Sequence, residues 1–322
     1  MKANAISISV AALAAVLSAV GAARAQEAYP SKAIRMIVGY APGGGSDIMG
    51  RLIAPQIADA LKQQVIVENR PGVAQNIAAE YIVKQAADGY TLFMSSAALG
   101  VNVSLSPKLN YDPVRDFIPV AVFANAANLL LVHPSVPAKS VKEFIAVVKK
   151  NPGRMNFSSS GSGSTQHLSG EMLKLMIKGD FTHIPYKGTA PSLVALSSGE
   201  VEFSFSNIPS AKPVMNRVRV LGITAQKRTP LLPDVPTMIE SGLPGFVTQT
   251  WYGILVPTGT PQPVVTTLNR VVVDAVKRDA VRQRIAQLGA DPIAESPEYF
   301  RKMLGEEIAR WAKVVKAAGI KP

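Results

Sequence analysis

The chain has 322 residues, of which 34 are Lys or Arg, 22 are Asp or Glu and none is Cys. The absence of cysteine excludes a disulfide framework, a thiolate metal site and a lipid-attachment cysteine. The formal net charge is +12, but aromatic residues make up only 6% and Lys and Arg form no block, so we expect no nucleic-acid binding. The basic surplus indicates either an ordinary solvated surface or a field that steers anionic ligands.

The N-terminal segment has the three parts of a secretory signal peptide. Lys2 provides a positive charge, residues 6–20 form an apolar run, and Ala23-Arg24-Ala25 matches a small-residue cleavage site. The run is too short to span a bilayer, so a signal peptide is favoured over a membrane anchor. We therefore predict cleavage after Ala25 and export to the periplasm. Cleavage removes Lys2 and Arg24, which lowers the formal net charge from +12 to +10.

Strands and helices alternate along the first part of the chain. An apolar run predicts a strand at 34–38, and a glycine-rich loop at 41–47 leads into an amphipathic helix at 48–61. The next predicted elements are a strand at 65–67, a helix at 77–87, and a strand at 91–94 before a loop that opens with Ser95 and Ser96.

The same alternation continues to the C-terminus. Ser140 and Glu143 form a capping-box pattern that predicts the start of a helix at 141–150. The other predicted elements are strands at 129–132, 155–157, 182–185, 201–206 and 218–223, a Gly/Ser loop at 158–165, helices at 166–178 and 190–198, an extended segment at 245–257, and helices at 262–288, broken near Asp279, and at 297–318.

This order of elements predicts an α/β fold with mixed, mostly parallel sheets. The mature chain is long enough for two domains. We expect two lobes that are joined by segments crossing near residues 125 and 253. In that arrangement residues 26–124 and 254–322 form lobe 1, residues 125–253 form lobe 2, and a ligand cleft lies between them.

Two strand–loop–helix units carry the main functional signal. In each unit a loop of small residues, at 41–47 or at 158–165, aims backbone N–H groups and the positive end of a helix dipole at one point. One such unit makes a weak anion site, whereas two facing units would hold both ends of a small dicarboxylate or similar polar acid. The alternatives are a tight turn with Asp47 as N-cap for the first loop and a flexible linker for the second.

Other chemistries lack their motifs. Neither loop fits the dinucleotide pattern G-x-G-x-x-G, because Ile48 and Gln166 occupy the third glycine position, and there is no Walker A sequence. No G-x-S-x-G or H-E-x-x-H sequence occurs, and His133, His167 and His183 lie far apart. We therefore expect no cofactor, no metal and no catalysis. A hydrolase or transferase on a similar α/β frame is the main rival hypothesis.

Three further sites have two interpretations each. Tyr186 and Lys187 would supply a hydroxyl and a positive charge to a ligand, or they belong to a structured surface loop. Asn207, at the end of a strand, would offer a donor and an acceptor to the cleft. Trp251-Tyr252-Gly253 lies in the second crossing segment, where packing in the core or hinge is favoured over ligand stacking.

Longer strings match a known family in order along essentially all of the mature chain. They include Tyr29-Pro30-Ser31-Lys32, Pro42-Gly43-Gly44, Val67-Glu68-Asn69-Arg70-Pro71-Gly72, Asp88-Gly89-Tyr90-Thr91-Leu92, Thr165-Gln166-His167-Leu168, Pro185-Tyr186-Lys187-Gly188 and Trp251-Tyr252-Gly253. In these strings the chain resembles the Bug-type receptors, which are the substrate-binding proteins of tripartite tricarboxylate transporters.

The resemblance implies a two-lobed periplasmic-binding-protein fold of the Venus-flytrap kind (type II) that closes over a small carboxylate. The implied ligands are di- and tricarboxylates, acidic amino acids, and aromatic or nicotinate-like acids. The implied partners are the integral-membrane subunits of a transporter, and a signalling sensor is the alternative partner. We expect the receptor to be a monomer.

In the family, the loops that match 40–47 and 160–167 contact the ligand, and the strand ends that match 95–96 and 206–207 face the cleft. The residues predicted to bind the ligand are Tyr40, Pro42, Gly43, Gly44, Gly45, Ser46, Asp47, Ser95, Ser96, Ser160, Gly161, Ser162, Gly163, Ser164, Thr165, His167, Tyr186, Lys187, Ser206 and Asn207.

The chain departs from the family pattern at four places. Gly39-Tyr40-Ala41-Pro42-Gly43-Gly44 stands where the family commonly has Pro-Phe-Pro-Pro-Gly-Gly, and the added Tyr40 hydroxyl would enter the pocket or face the sheet. Ala74-Gln75 stands where the family often has a small residue or glycine pair, and the loop at 215–217 is shortened. Ser206 replaces a frequent Asp. Because an acidic side chain there would suit a ligand amine, its absence disfavours an amino-acid ligand.

Overall fold

The computed structural model describes residues 29–106 and 108–319, so the predicted signal peptide lies outside the described residues. The strands are β1 (Ile34–Val38), β2 (Val65–Asn69), β3 (Thr91–Ser96), β4 (Phe117–Val132), β5 (Asn156–Ser159), β6 (Thr182–Pro185), β7 (Phe203–Asn207), β8 (Arg219–Ile223), β9 (Gln249–Pro257) and β10 (Asp291–Pro292). The helices are α1 (Gly45–Leu61), α2 (Asn76–Ile82), α3 (Ala98–Leu105), α4 (Val141–Lys150), α5 (Thr165–Ile177), α6 (Thr189–Ser198), α7 (Ile208–Ala211), α8 (Gln262–Lys277), α9 (Asp279–Gln287) and α10 (Pro297–Ala318).

The strands form two sheets that share β4. The first sheet has the order β2-β1-β3-β9-β4, with β10 also paired to β4, and the second continues from β4 through β7 and β5 to β6, with β8 also on β4. β1 pairs in parallel with β2 and β3, and β5 pairs in parallel with β6 and β7. The pairings of β4 and β9 are antiparallel. The predicted α/β fold with mixed sheets and two lobes is confirmed.

β4 is the longest strand of the described chain and joins the two sheets. Its first part pairs with β9, as far as Ala127 opposite Gln249, and its last part, from Asn128 to Val132, pairs with β7. Almost all of its residues are buried. A strand buried on both faces loses the polar–apolar alternation that marks a half-buried strand, and the sequence therefore predicted only its last four residues.

The hydrophobic core divides in the same way as the sheets. One set of buried residues contains Ile34 and Met36 of β1 together with Val265 and Leu268 of α8. Another set lies entirely within 130–246 and includes the aromatic residues Phe144, Phe157, Phe203 and Phe246. The C-terminal helices α8 and α10 thus pack against elements of the first part of the chain, α8 on α1 and α10 on α3.

Local signals predicted several helix ends correctly. Ser140 Oγ accepts a hydrogen bond of 3.2 Å from Glu143 N, and the Glu143 carboxylate accepts one of 2.8 Å from Lys139 N. The predicted break in the long helical segment lies at Arg278, between α8 and α9. Gly319 ends α10 in the left-handed conformation, with φ of 59°. No helix in the described ranges has the length and apolarity that a bilayer crossing requires.

Three predicted boundaries were wrong in a way that concerns the site. α1 begins at Gly45, so the glycine-rich loop runs directly into the helix. Ser95 and Ser96 are the last residues of β3 and do not open a loop. α2 ends at Ile82, five residues earlier than predicted.

Candidate ligand-binding site

A small cavity lies where the β1–α1 loop, the β5–α5 loop and the ends of several strands meet. The free space inside it is about 10 Å³, about enough for one water molecule, so the cavity is nearly closed. The lining residues are Tyr40, Gly44, Gly45, Ser46, Ser96, Ser160, Thr165, Gln166, Thr189, Asn207, Thr250 and Tyr252. Hydroxyl and amide groups dominate this lining, and none of these side chains carries a charge.

The N-terminus of α1 opens into the cavity without a capping side chain. Gly44 is the N-cap residue, in an extended conformation with φ of −82°, and no side chain bonds to the first turn at this position. The first amides of a helix have no carbonyl partner within it, and they lie at the positive end of its dipole. The amides at the start of α1 are therefore placed to bind an anionic oxygen.

Asp47 holds this loop and does not line the cavity. One of its carboxylate oxygens accepts a hydrogen bond of 3.0 Å from Gly43 N, and the other accepts bonds of 2.9 Å from Arg51 Nε and Asn69 Nδ2. Asn69 also donates to the Tyr40 carbonyl at 2.9 Å. Asp47 is buried, and these contacts neutralise its charge and position the amides on either side of it.

The N-terminus of α5 faces the same cavity from the second unit. Ser164 is its N-cap, and its hydroxyl accepts a hydrogen bond of 3.2 Å from His167 N. Ser160 Oγ donates to Gln166 Oε1 at 2.9 Å, and this contact leaves the Gln166 side-chain amide as a donor. Thr165 Oγ1 forms a short hydrogen bond to Thr250 Oγ1 on β9.

Two stacked histidines support the second loop from behind. The rings of His167 and His183 lie 3.9 Å apart between centroids. His167 Nδ1 accepts a hydrogen bond of 3.1 Å from Gly163 N, and His183 Nε2 is 2.6 Å from Ser159 Oγ. Burial lowers the pKa of His167 to about 4, and burial together with the charge of His167 lowers the pKa of His183 to about 3. Both rings are therefore neutral at neutral pH.

Strand ends supply the remaining polar groups. Tyr40 Oη is 3.4 Å from Ser96 Oγ, and burial raises the pKa of Tyr40 to about 12, so its hydroxyl stays protonated. Asn207 Oδ1 accepts hydrogen bonds from Ser210 N at 3.2 Å and from Ser210 Oγ at 2.8 Å. The hydroxyl of Tyr252 is buried and has no hydrogen-bond partner within the described residues.

The two units touch each other around the cavity. Ala41 N donates to the Lys187 carbonyl at 3.3 Å. A Cβ built on Gly161 would lie 3.2 Å from Ala74 N, which shows how closely the second loop approaches the segment after β2. That segment contains three consecutive left-handed residues, Val73, Ala74 and Gln75. This is the segment where the chain departs from the family pattern, and bonds from Gln75 to Ser96 hold it in place.

The structure brings eight of the predicted ligand-binding residues to the cavity wall. These are Tyr40, Gly44, Gly45, Ser46, Ser96, Ser160, Thr165 and Asn207. The other predicted residues lie around the wall and not on it; they are Pro42, Gly43, Asp47, Ser95, Gly161, Ser162, Gly163, Ser164, His167, Tyr186, Lys187 and Ser206.

Several residues outside the wall have other partners. The Tyr186 hydroxyl donates to Glu200 at 2.8 Å, and the Ser95 hydroxyl donates to Gln75 Oε1 at 3.2 Å. Ser206 Oγ donates to the carbonyl of Asn207 at 3.3 Å. These contacts explain how the loops and strand ends are held, and ligand contact by these residues remains a prediction.

Four wall residues were missed by sequence reasoning: Gln166, Thr189, Thr250 and Tyr252. Gln166 and Tyr252 lie within the strings that carry the family resemblance, so the resemblance was the signal that could have identified these two residues. Thr250 and Tyr252 belong to β9. The sequence of this strand indicates core residues, because hydrophobic periodicity does not show which face of a strand borders a cavity.

The site has the character of an anion-binding pocket built from neutral groups. Two helix N-termini and several hydroxyl and amide donors converge on it, whereas no Asp or Glu side chain lines it. In residues 29–106 and 108–319 no group of three or more His, Cys, Asp or Glu residues is placed to hold a metal ion.

Comparisons with known proteins identify the family of the chain. The family described as "Tripartite tricarboxylate transporter family receptor" matches residues 49–320. BugT of Bordetella pertussis is 36% identical over 320 residues, which are 98% of this chain and 96% of BugT. The solved structure of R. palustris Rpa4515 with adipate has 37% identity and a TM-score of 0.89, over 91% of this chain and 99% of that one.

A second solved relative, MatC from Rhodopseudomonas palustris with bound malate, has 36% identity and a TM-score of 0.85, over 89% of this chain and 100% of MatC. The match to the family and the full-length relatives lead to one conclusion. The chain belongs to the tripartite tricarboxylate transporter family receptors, the Bug-type receptors indicated by its sequence motifs.

Proposed function

We propose that this receptor binds a small carboxylate in the cavity between its two helix N-termini and delivers it to the membrane subunits of a tripartite transporter. The observation that carries the proposal is the convergence of the first amides of α1 and α5 on one neutral, donor-rich cavity. Backbone amides and helix dipoles stabilise a carboxylate without a cationic side chain.

Relatives support the same ligand class. One solved relative carries adipate and another carries malate, and both align over nearly the whole of this chain. The family consists of receptors, so the hydrolase or transferase hypothesis is not favoured. Solved relatives described as periplasmic support a periplasmic location for the mature chain, with residues 1–25 as its signal peptide.

Closure of two lobes over the ligand is part of the proposal. We place residues 26–124 and 254–322 in lobe 1 and residues 125–253 in lobe 2, with β4 and β9 as the crossing strands. The contact between Ala41 N and the Lys187 carbonyl joins the lobes beside the cavity and would form on closure. We expect the receptor to act as a monomer.

Thermal unfolding of the mature protein with a panel of small acids tests the proposal. A ligand at a hundred times its Kd stabilises the folded state by roughly 2.7 kcal/mol, which raises the midpoint measurably. The neutral diamide of each diacid is the matched control, and we expect it to give no shift because it lacks the anionic oxygens.

Protein purified with its ligand already bound would hide the effect, so the small molecules released on denaturation are identified in parallel. A carboxylate that raises the midpoint or is released from the protein supports the proposal. Absence of both, or an equal shift by the diamides, would contradict it.

A further inference from the structure

The helix α9 is bordered by a groove on each side, and both grooves are separate from the ligand cavity. The first groove lies between α9 and α1 and has about 610 Å³ of free space. The second lies between α9 and the segment 225–231, which follows β8, and has about 640 Å³. We call α9 and its two grooves the α9 face. Concave surfaces of this size commonly bind a ligand or a partner.

Apolar side chains form part of the lining of both grooves. Leu52 of α1 and Val281 of α9 contribute to the first groove. In the second groove Ile208 and Ile223 are buried, whereas Leu231 is an exposed large apolar residue. Apolar surface that is open to water gains free energy when a partner covers it. The α9 face therefore has an apolar component that favours contact with another protein.

The charged residues of the α9 face are mostly basic. The lining of the two grooves includes five Lys or Arg residues and two Asp residues. One of the acids, Asp47, is neutralised by Arg51 Nε at 2.9 Å. Lys227 and Arg284 are exposed, and their side chains have no hydrogen-bond or ion-pair partner among the described residues. This excess of positive charge is complementary to an acidic partner.

The α9 face extends over both of the lobes proposed above. α1 and α9 belong to lobe 1, whereas Lys227 and Leu231 belong to lobe 2. The turn after α9 packs against lobe 2, because a Cβ built on Gly289 would lie 2.2 Å from Ile208 Cγ2. Ile208 directly follows Asn207, which lines the ligand cavity. Closure of the lobes over a ligand would therefore change the shape of the second groove.

The first groove borders the other side of the ligand site. Asp47 contributes to its lining, and the carboxylate of Asp47 accepts the hydrogen bond of 3.0 Å from Gly43 N in the β1–α1 loop. A partner in this groove would lie beside the residue that holds the loop of the α1 amides. Both grooves thus adjoin residues that position the ligand site.

We propose that the α9 face docks an acidic, partly apolar segment of the transporter's membrane subunits, and that this segment recognises the closed receptor because it contacts both lobes. The inference rests on the proposed function, since delivery requires the receptor to meet these subunits. Carboxylates of the segment would pair with Lys227 and Arg284, and its apolar side chains would fill the grooves. A flat anionic membrane surface would reach the exposed cations but would leave the grooves unfilled.

Binding to the membrane subunits of the transporter that takes up the receptor's acid tests the proposal. The subunits are placed in phosphatidylcholine nanodiscs, and the affinity of the mature receptor is measured with and without saturating acid. We expect the acid-loaded receptor to bind about fivefold or more tightly than the acid-free one. Binding should weaken as the salt concentration rises, because exposed charges are screened.

Nanodiscs that lack the subunits are the control, and we expect the receptor not to bind them. Equal binding to nanodiscs with and without subunits would indicate recognition of lipid and would overturn the proposal. Equal affinity of the acid-loaded and acid-free receptor would overturn it as well, because a surface that spans both lobes should distinguish the two.

Charge reversal separates the α9 face from the rest of the basic surface. We expect the double variant Lys227→Glu and Arg284→Glu to dock about tenfold or more weakly, with its affinity for the acid unchanged in calorimetry. The matched control is Lys150→Glu with Arg301→Glu, which changes the net charge equally at two exposed residues. These lie on α4 and α10, which pack on the opposite faces of the two sheets from the α9 face.

Equal docking by the two double variants would show that net charge governs the association and would overturn the proposal. If charge reversal lowers the thermal midpoint, the neutral variant Lys227→Gln and Arg284→Gln replaces it, with the same expected direction. A wild-type receptor that binds the acid but not the subunits would refute delivery, and this inference with it. Docking that is insensitive to the α9 variants would refute only the inference.

Discussion

At the scale of single residues, Gly45 and Gly44 differ although they are neighbours. A Cβ on Gly45 would overlap the Tyr252 hydroxyl at 2.2 Å, whereas a Cβ on Gly44 would lie 3.6 Å from its nearest neighbours, an ordinary contact. Gly45 is therefore the position at which an added side chain would block the loop, because its Cβ would lie directly against two cavity side chains.

We predict that Gly45→Ala lowers carboxylate affinity by at least about tenfold, which corresponds to 1.4 kcal/mol. The added methyl displaces the Tyr252 ring and the Asn207 side chain from the end of the cavity. Gly305→Ala is the control, because Gly305 lies on α10 away from the cavity and its added Cβ meets nothing within 4 Å, so it should bind as the wild type does. Calorimetry with the same acid measures both variants, and equal affinities for the two would show that the α1 end does not form the site.

Asn207 and Tyr252 show which residues of the cavity wall could and could not be predicted from the sequence. Asn207 was predicted at a strand end, where polar side chains reach a cleft, and it lies on the cavity wall. Tyr252 was interpreted as core packing because aromatic residues in a buried strand usually pack there. Only the three-dimensional position of its oxygen, at the cavity wall and without a partner in the described chain, distinguishes it from an ordinary core residue.

At the scale of secondary-structure elements, the start of α5 depends on the stacked histidines behind it. The Gly163 amide donates to His167 Nδ1, so this nitrogen must be unprotonated for the loop to keep its position. His183 lies 3.9 Å from His167, and protonation of one ring disfavours protonation of the other. The loop that presents the α5 amides is thus linked to the neutral state of both rings.

This linkage predicts a loss of stability at acid pH. The unfolded histidines titrate near 6.5, whereas the folded pKa values are about 4 and about 3, so the unfolded state binds more protons below pH 6.5. The contribution is fully present above pH 6.5 and falls as the pH drops towards 4. In that window each ring would lower the free energy of unfolding by about 1.4 kcal/mol for each pH unit of acidification.

Urea unfolding at pH 7.5, 6.0 and 5.0 measures this effect. His183→Gln removes one titrating ring, so its stability should fall less steeply with decreasing pH than that of the wild type. Glu171, 3.8 Å from His167, has a pKa raised by burial and acts in the opposite direction, but it is present in both proteins. Equal slopes for the two proteins would contradict the linkage.

Helix ends could be predicted from the sequence where a local signal sets them. The capping pattern at Ser140, the break near Asp279 and the glycine stop at Gly319 each set a helix end that the structure reproduces. β4 was not predictable in full because its burial on both faces comes from tertiary packing. The left-handed conformation at Ala74-Gln75 also could not be predicted from the sequence, because non-glycine residues adopt it only when their surroundings enforce it.

At the scale of the whole molecule, polar contacts connect α5 to β4, to β9 and to Thr248, which directly precedes β9. Ser169 Oγ lies 2.6 Å from Thr248 Oγ1, Thr165 contacts Thr250, and Asn128 Nδ2 donates to Ser169 at 3.2 Å. These contacts connect the start of α5 to β4 and β9, the strands that we propose cross between the lobes. Ligand binding at the α5 amides, as proposed, would therefore be mechanically connected to these strands.

The overall architecture was readable from the sequence because its motifs occur in family order over the whole mature chain. The sequence did not show which residues of each loop line the cavity and which hold the loop in place. Residues such as Asp47, Ser164 and His167 carry the strongest local patterns, yet they position the amides from behind the cavity wall. Sequence patterns identify groups that make bonds, but not whether their partner is the protein or the ligand.

A crystal structure of the mature protein grown with the tightest-binding acid tests the central claim most directly. We predict electron density between the two helix starts, with one carboxylate against the amides of α1 and the Tyr252 hydroxyl and the other against the amides of Thr165 and Gln166. A ligand bound at another surface, with both helix starts in contact only with water, would contradict it.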